Sequence, residues 1–108
     1  IDKNPATVQA LANAIVRADK WIQAAGPGEI IKAVPESYLL GDRAVYIDAF
    51  MAAKGALSRD GTIPDKGPDT AYRALASIDP EIARAKLDLA AVYTNEFAKK
   101  ANAKYPNG

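Results

Sequence analysis

Asn4-Pro5-Ala6-Thr7-Val8-Gln9-Ala10-Leu11-Ala12-Asn13-Ala14-Ile15-Val16-Arg17-Ala18-Asp19-Lys20-Trp21-Ile22-Gln23-Ala24-Ala25-Gly26 is the stretch that decides the fold class. Asn4 stands where a helix N-cap is expected, and Pro5 presets φ at the first helical position without losing a hydrogen bond. Val8, Leu11, Ile15, Ala18 and Ile22 recur at helical spacing, with Ala12, Ala14 and Trp21 widening the stripe. Alanine, the strongest helix former, fills many of the remaining positions. The segment predicts one helix from Pro5 to about Ala24, closed by Gly26 in a left-handed cap.

The rest of the chain follows the same punctuation. Pro27 opens a short helix to Ala33, with Glu29 in its first turn, and Pro35 stops it. Glu36 to Leu40 reads as one loose turn and Gly41 as a break. Asp42 caps a third helix to about Leu57, with Val45, Tyr46, Phe50, Ala53 and Leu57 as its core stripe and Ile47 and Met51 partly covered. Asp60-Gly61 is a turn dipeptide, and residues 60–67 read as a loop. Pro68 starts a fourth helix ending near Ile78, with Tyr72, Leu75 and Ile78 on one face. Asp79-Pro80-Glu81 is a cap, a first-turn proline and an acid, so a fifth helix runs to about Ala85. Asp88 caps a last helix, Leu89 to about Lys104, striped by Leu89, Val92, Tyr93 and Phe97; Thr94-Asn95 is a second point at which that helix can restart. Residues 105–108 are expected to fray. No segment alternates with period 2 and no repeat is visible, so the chain is read as all-α, a single helical domain over residues 1–108.

Composition bounds the function. A chain of 108 residues is of single-domain length and is expected to bury roughly 60–70% of its unfolded surface. The net charge is +1, with 14 basic and 13 acidic residues interspersed; no basic stripe points to nucleic acid, and Lys99, Lys100 and Lys104 are too few to make one. Cysteine and histidine are absent, which removes disulfides, thiolates, the commonest general base and the commonest transition-metal ligand. Absence of cysteine also fits a periplasmic protein. No window is long and apolar enough to span a membrane, and no signal peptide is seen. The chain starts at Ile1 without an initiator Met, so a mature or truncated product is expected.

Each candidate constellation has a simpler structural reading. Asp42 with Asp48, and Asp79 with Glu81, are pairs of carboxylates, but Asp42, Asp79 and Asp88 all stand at expected caps. Ser58-Arg59-Asp60-Gly61 follows a helix and leads into Pro64, unlike a phosphate cradle, and reads as a turn. Ser37 and Ser58 have no histidine partner for a triad; a Ser–Lys pair is left open. Asp60, Asp65 and Asp69 do not have calcium-loop spacing. Trp21 and Tyr46 lie on the strongest stripes and are read as packing, as are Tyr72 and Tyr93 by their helical spacing. Tyr38, in an irregular segment, is the best placed to meet solvent or ligand. No catalytic, cofactor-binding or metal-ligating residue is assigned.

The order of several features is similar to the C-terminal region of periplasmic substrate-binding proteins of the nitrate/sulfonate/taurine type. Asp2-Lys3-Asn4-Pro5-Ala6-Thr7-Val8-Gln9-Ala10 matches a charged turn, Asn-Pro and helix. Ala18-Asp19-Lys20-Trp21 matches an aromatic after an Ala-rich run. Ser58-Arg59-Asp60-Gly61-Thr62-Ile63-Pro64 matches a Ser-x-Asp-Gly-x-Ile-Pro turn, and Asp88-Leu89 with Tyr93-Thr94-Asn95-Glu96-Phe97 matches the last segment. The resemblance spans nearly the whole chain and lies in the shared order. It implies the helical C-terminal part of a type II periplasmic binding fold, whose two α/β lobes close on a ligand in the cleft between them. It also implies a non-enzymatic receptor in the periplasm that hands a small solute, such as nitrate, a sulfonate or taurine, to an ABC-transporter permease. Ligand contacts in the family lie mostly upstream, so no ligand residue is carried over. On this reading Val8, Leu11, Ile15, Tyr46 and Phe50 cover a lobe's sheet; in a chain standing alone the same faces predict a symmetric or swapped dimer. Two other readings fit the amphipathic faces: a free-standing helical module that binds a partner protein, and a helical domain of a larger two-lobed enzyme.

Overall fold

The computed structural model describes residues 1–39 and 41–107; the expected turn end at Leu40 and the fraying of Gly108 lie outside them. The described residues form six α-helices: α1 (Pro5–Ala24), α2 (Pro27–Ala33), α3 (Arg43–Lys54), α4 (Gly67–Ala76), α5 (Pro80–Arg84) and α6 (Glu96–Lys104). Short 3₁₀ turns stand at Glu36–Tyr38 and Leu89–Ala91, and no strand occurs among the described residues. The chain is all-α.

The caps work largely as the sequence dictates. Asp42 accepts hydrogen bonds from the N–H groups of Ala44 and Val45, and Asp79 from those of Glu81 and Ile82. Asn4 holds the N-cap position of α1, but its side chain makes no capping bond. Gly26 is not a left-handed cap. Its φ is −84°, and it serves as the N-cap of α2, its N–H donating to the Glu29 carboxylate at 2.9 Å. The first two helices therefore join through Ala25 and Gly26 alone, because Pro27 starts the next helix at once. Helix α3 stops at Lys54, short of Leu57, where Ala56 and Leu57 tighten into bonds three residues back, to Ala53 and Lys54. Helix α4 begins at Gly67 and ends at Ala76, short of Ile78, and α5 ends at Arg84.

The expected last helix is two pieces. Asp88 caps only the turn at Leu89–Ala91. The helix then restarts at Glu96, whose N–H donates to the Thr94 hydroxyl. Asn95 occupies the cap position without capping, because its amide is bonded elsewhere. The expected fray at the end is also overridden: the Lys20 ammonium donates to the carbonyls of Tyr105 and Pro106, and Arg17 lies 5.0 Å over the Tyr105 ring.

The helices pack chiefly in three pairs, α1 on α6, α2 on α3 and α4 on α5. The largest is α1 on α6, where Val16 is buried against Ala98 and Ala101. Two alanines one turn apart keep the α6 surface low, so α1 approaches closely. The stripe expected to be the α1 core faces elsewhere: Leu11 and Ile15 are 61% and 60% exposed. At 100° per residue the stripe of Val8, Leu11, Ile15, Ala18 and Ile22 is centred about 120° round the helix from Val16. The seam itself carries Gln9 and Lys20, which donate to main-chain carbonyls of Phe97 and Tyr105. Trp21, Val45, Leu57, Leu75 and Ile78 are likewise open, contrary to the core expected for them. Ala53 is exposed too, while Tyr46 and Phe50 are half-buried and stack at 6.3 Å.

The molecule is extended, 47 × 36 × 22 Å. Its radius of gyration is 17.4 Å, against about 13 Å for a compact chain of this length. Its accessible surface is 8082 Å², whereas a compact protein of its 11.4 kDa exposes about 5,800 Å². The helices bury only about half of the extended chain's surface, below the fraction expected from length alone.

Two glycines adopt positive φ, Gly41 at 79° and Gly61 at 72°. A Cβ at Gly41 meets nothing within 4 Å, while one at Gly61 lies 2.8 Å from Val16 Cγ2. Gly41→Ala is expected to cost about 1–2 kcal/mol from backbone conformation alone. Gly61→Ala is expected to cost at least about 1 kcal/mol more, because it also forces Val16 off its seat. Denaturant midpoints of the two variants check this; equal losses would show that Val16 yields freely.

Candidate functional site

The turn Ser58–Pro64 and the segment Tyr93–Phe97 are far apart in sequence but meet in the structure. Asn95 ties them. Its side-chain carbonyl accepts from the Ile63 N–H at 2.8 Å, and its amide donates to the Ile63 carbonyl, also at 2.8 Å. A planar carboxamide presents a donor and an acceptor side by side, and this pairing uses both against one residue's main chain. Two turns further along α6, Asn102 donates to the Asp60 carbonyl at 2.8 Å and to its own helix at Ala98. Within the turn, the Gly61 N–H donates to the Ser58 hydroxyl. The turn is thus held by two asparagines from one side and presses Gly61 on Val16 from the other.

Asp60 sits at the centre of this junction. It accepts from the Thr62 hydroxyl at 2.6 Å and the Thr62 N–H at 2.9 Å, and these bonds hold its carboxyl below the ordinary value, helped by the Lys20 charge. Asp19 on α1 moves the other way, raised first by burial and then by the Asp60 charge. Two neighbouring carboxylates pushed apart in this manner is the pattern of an acid–base pair. Here both Thr62 bonds fix one Asp60 oxygen, Oδ1, within the turn, so the pair reads as a charged seam between turn and helix.

In the two candidate carboxylate pairs Asp42 and Asp79 are caps, as the sequence reads them, and no cluster of three metal-ligating side chains occurs among the described residues. Ser58 is used by the turn. Tyr38 is exposed, as expected for the aromatic best placed to meet solvent. Tyr72 donates its hydroxyl to the Ala85 carbonyl at 3.2 Å, which fastens α4 to the end of α5.

An open groove of about 650 Å³ lies between Asp2, Pro5 and the segment Ala91–Lys100. Its size suits a small ligand. Its only lysine, Lys100, is paired with Glu96, and Asp2 adds a further negative charge. The groove therefore presents no free cationic side chain to an anion.

No protein-family profile and no curated protein matches the chain. A solved structure of a protein from Bordetella bronchiseptica RB50 is similar to it, with 58% sequence identity and a TM-score of 0.88 over 95% of this chain. The chain spans 32% of the length of that protein. The same arrangement of helices is thus seen inside a polypeptide roughly three times as long.

The Asn95 and Asn102 ties escape sequence reasoning, because an asparagine near a helix start reads first as a cap. Asn95→Ala is expected to cost about 1–3 kcal/mol for two lost hydrogen bonds and to speed amide exchange at Ile63. Asn95→Asp, which keeps only the acceptor, should fall between; unchanged exchange at Ile63 would refute the tie.

The carboxylate pair makes a second prediction. NMR titration should place the Asp19 midpoint above that of Asp60. Asp60→Asn should lower the Asp19 midpoint only in part, since burial is the larger cause. In linkage terms the depressed Asp60 stabilises the fold above its unfolded pKa, and that contribution is lost as pH falls through the folded value. The raised Asp19 stabilises below its unfolded pKa and loses that contribution as pH rises through its folded value. An Asp19 midpoint unmoved by Asp60→Asn would mean that the two carboxylates do not interact.

Proposed function

We propose that this chain is the C-terminal helical part of a periplasmic solute receptor of the nitrate/sulfonate/taurine type, which passes a small anion to the permease of an ABC importer. The observation that carries the reading is the match of nearly the whole chain to about a third of a longer protein, as expected of one part of a two-lobed receptor. The meeting of the Ser58–Pro64 turn with the Tyr93–Phe97 segment supports it further, since these are two of the pieces on which the family resemblance rests. In this reading the helices contribute support to a lobe, and the ligand is held by residues outside this chain. The groove beside Lys100 is consistent with that division, because its cation is already neutralised by Glu96. The reading makes the protein a carrier with no catalytic step: binding selects the closed arrangement of the lobes through better contacts than the open one offers.

The test uses the longer polypeptide that contains this chain and a panel of nitrate, taurine, alkanesulfonates, aromatic carboxylates and pyrimidines. One member is expected to raise the unfolding free energy by about 2.7 kcal/mol at 100 times its Kd, while the 108-residue chain alone responds to none. The protein should also be released by osmotic shock. A longer polypeptide that stays in the cytosol and responds to no member of the panel would overturn the reading and leave the protein-binding module in the lead.

A further inference from the structure

Helix α1 has two faces that want cover, and this chain supplies cover for one. The Val16 face is closed by Ala98 and Ala101. The more apolar face, carrying Leu11 and Ile15, is open over most of its area. A helix whose covered seam and main apolar stripe lie about 120° apart is placed to pack on two bodies at once. The amount of open surface is also out of proportion to a small domain. The chain exposes 8082 Å², about 2,300 Å² more than a compact protein of its mass. That excess is nearly three times what one partner buries in a standard interface of about 800 Å² per side.

We infer that the Leu11–Ile15 face of α1 is a buried interface with a second body of polypeptide, the counterpart of the two thirds of the Bordetella protein that this chain does not match. Two observations favour that occupant over a second copy. The helices already hold the arrangement found inside the longer protein, with a TM-score of 0.88. The open apolar residues are spread over several elements, including Val45 on α3, Leu75 on α4 and Val92 after the second 3₁₀ turn. A two-fold dimer uses one self-complementary patch and leaves such scattered residues uncovered. The inference does not depend on the solute or on the receptor reading; it requires only that a body of that kind packs on this face.

The experiment co-expresses the tagged chain with the unmatched two thirds of the Bordetella protein. The two should co-purify at equal stoichiometry. Leu11→Glu with Ile15→Glu should abolish co-purification, while Arg17→Glu, which lies off that face, should retain it. Circular dichroism of each variant alone keeps the reading separate from misfolding: helicity should be unchanged, because neither Leu11 nor Ile15 is buried in the chain itself. The wild-type chain alone should bind the apolar dye ANS, and the double variant should bind much less. Failure of the wild-type pair to co-purify, absence of dye binding, or a homodimer of the chain that requires Leu11 and Ile15 would each overturn the inference. Solute binding is not read in this experiment, so its failure and that of the receptor reading are distinguishable.

Discussion

Val16 is the point on which the structure turns. It is the most completely buried large side chain among the described residues, and three elements reach it: α1 carries it, Ala98 and Ala101 of α6 close over it, and Gly61 comes so near that a methyl group would not fit. Small residues on both sides are what the contact requires. An alanine-lined helix and a glycine turn let two backbones approach a single valine, and polar side chains can then bridge the short distances that remain. Gln9, Lys20, Asn95 and Asn102 all donate to main-chain carbonyls across this junction. The seam is therefore fixed in register by directed hydrogen bonds, while the area of apolar contact is small.

That combination explains why the remaining helices look under-packed. The pairs α2 with α3 and α4 with α5 are joined by contacts closer in sequence; α2 buries Ile30, while α3, α4 and α5 bury no residue fully. Burial of about half the extended-chain surface leaves little hydrophobic free energy to offset the ordering of 108 residues. On the inference drawn from the open face of α1, these helices form one layer of a larger body. The longer protein from Bordetella, in which the same helices are held in the same arrangement, fits that account. A solute receptor is the reading we favour for the whole, and it assigns to these helices a supporting role rather than a share of the binding cleft.

Local signals were legible where chemistry is local. Pro5, Pro27 and Pro80 mark helix starts, Asp42 and Asp79 are caps, and Gly61 makes the turn that Asp60-Gly61 announces. Core residues were not. Hydrophobic periodicity reports which face of a helix seeks cover; it does not say whether the cover lies within the chain. Leu11 and Ile15 read as core for that reason, and Val16, on a face shared with Gln9 and Lys20, does not. The junction of Ser58–Pro64 with Asn95 was visible only as two separate features of a family likeness. Nothing in their spacing announces that one asparagine would bond both main-chain groups of Ile63.

The most direct test of the account is residue-resolved hydrogen exchange on the isolated chain. Protection is predicted to concentrate in α1, α6 and the amides of Gly61 to Ile63, with α4 and α5 exchanging nearly as fast as unfolded peptide. Uniform protection of all six helices, with a single opening free energy, would contradict it: the chain would then be a self-sufficient cooperative domain, and its open apolar faces would need another explanation.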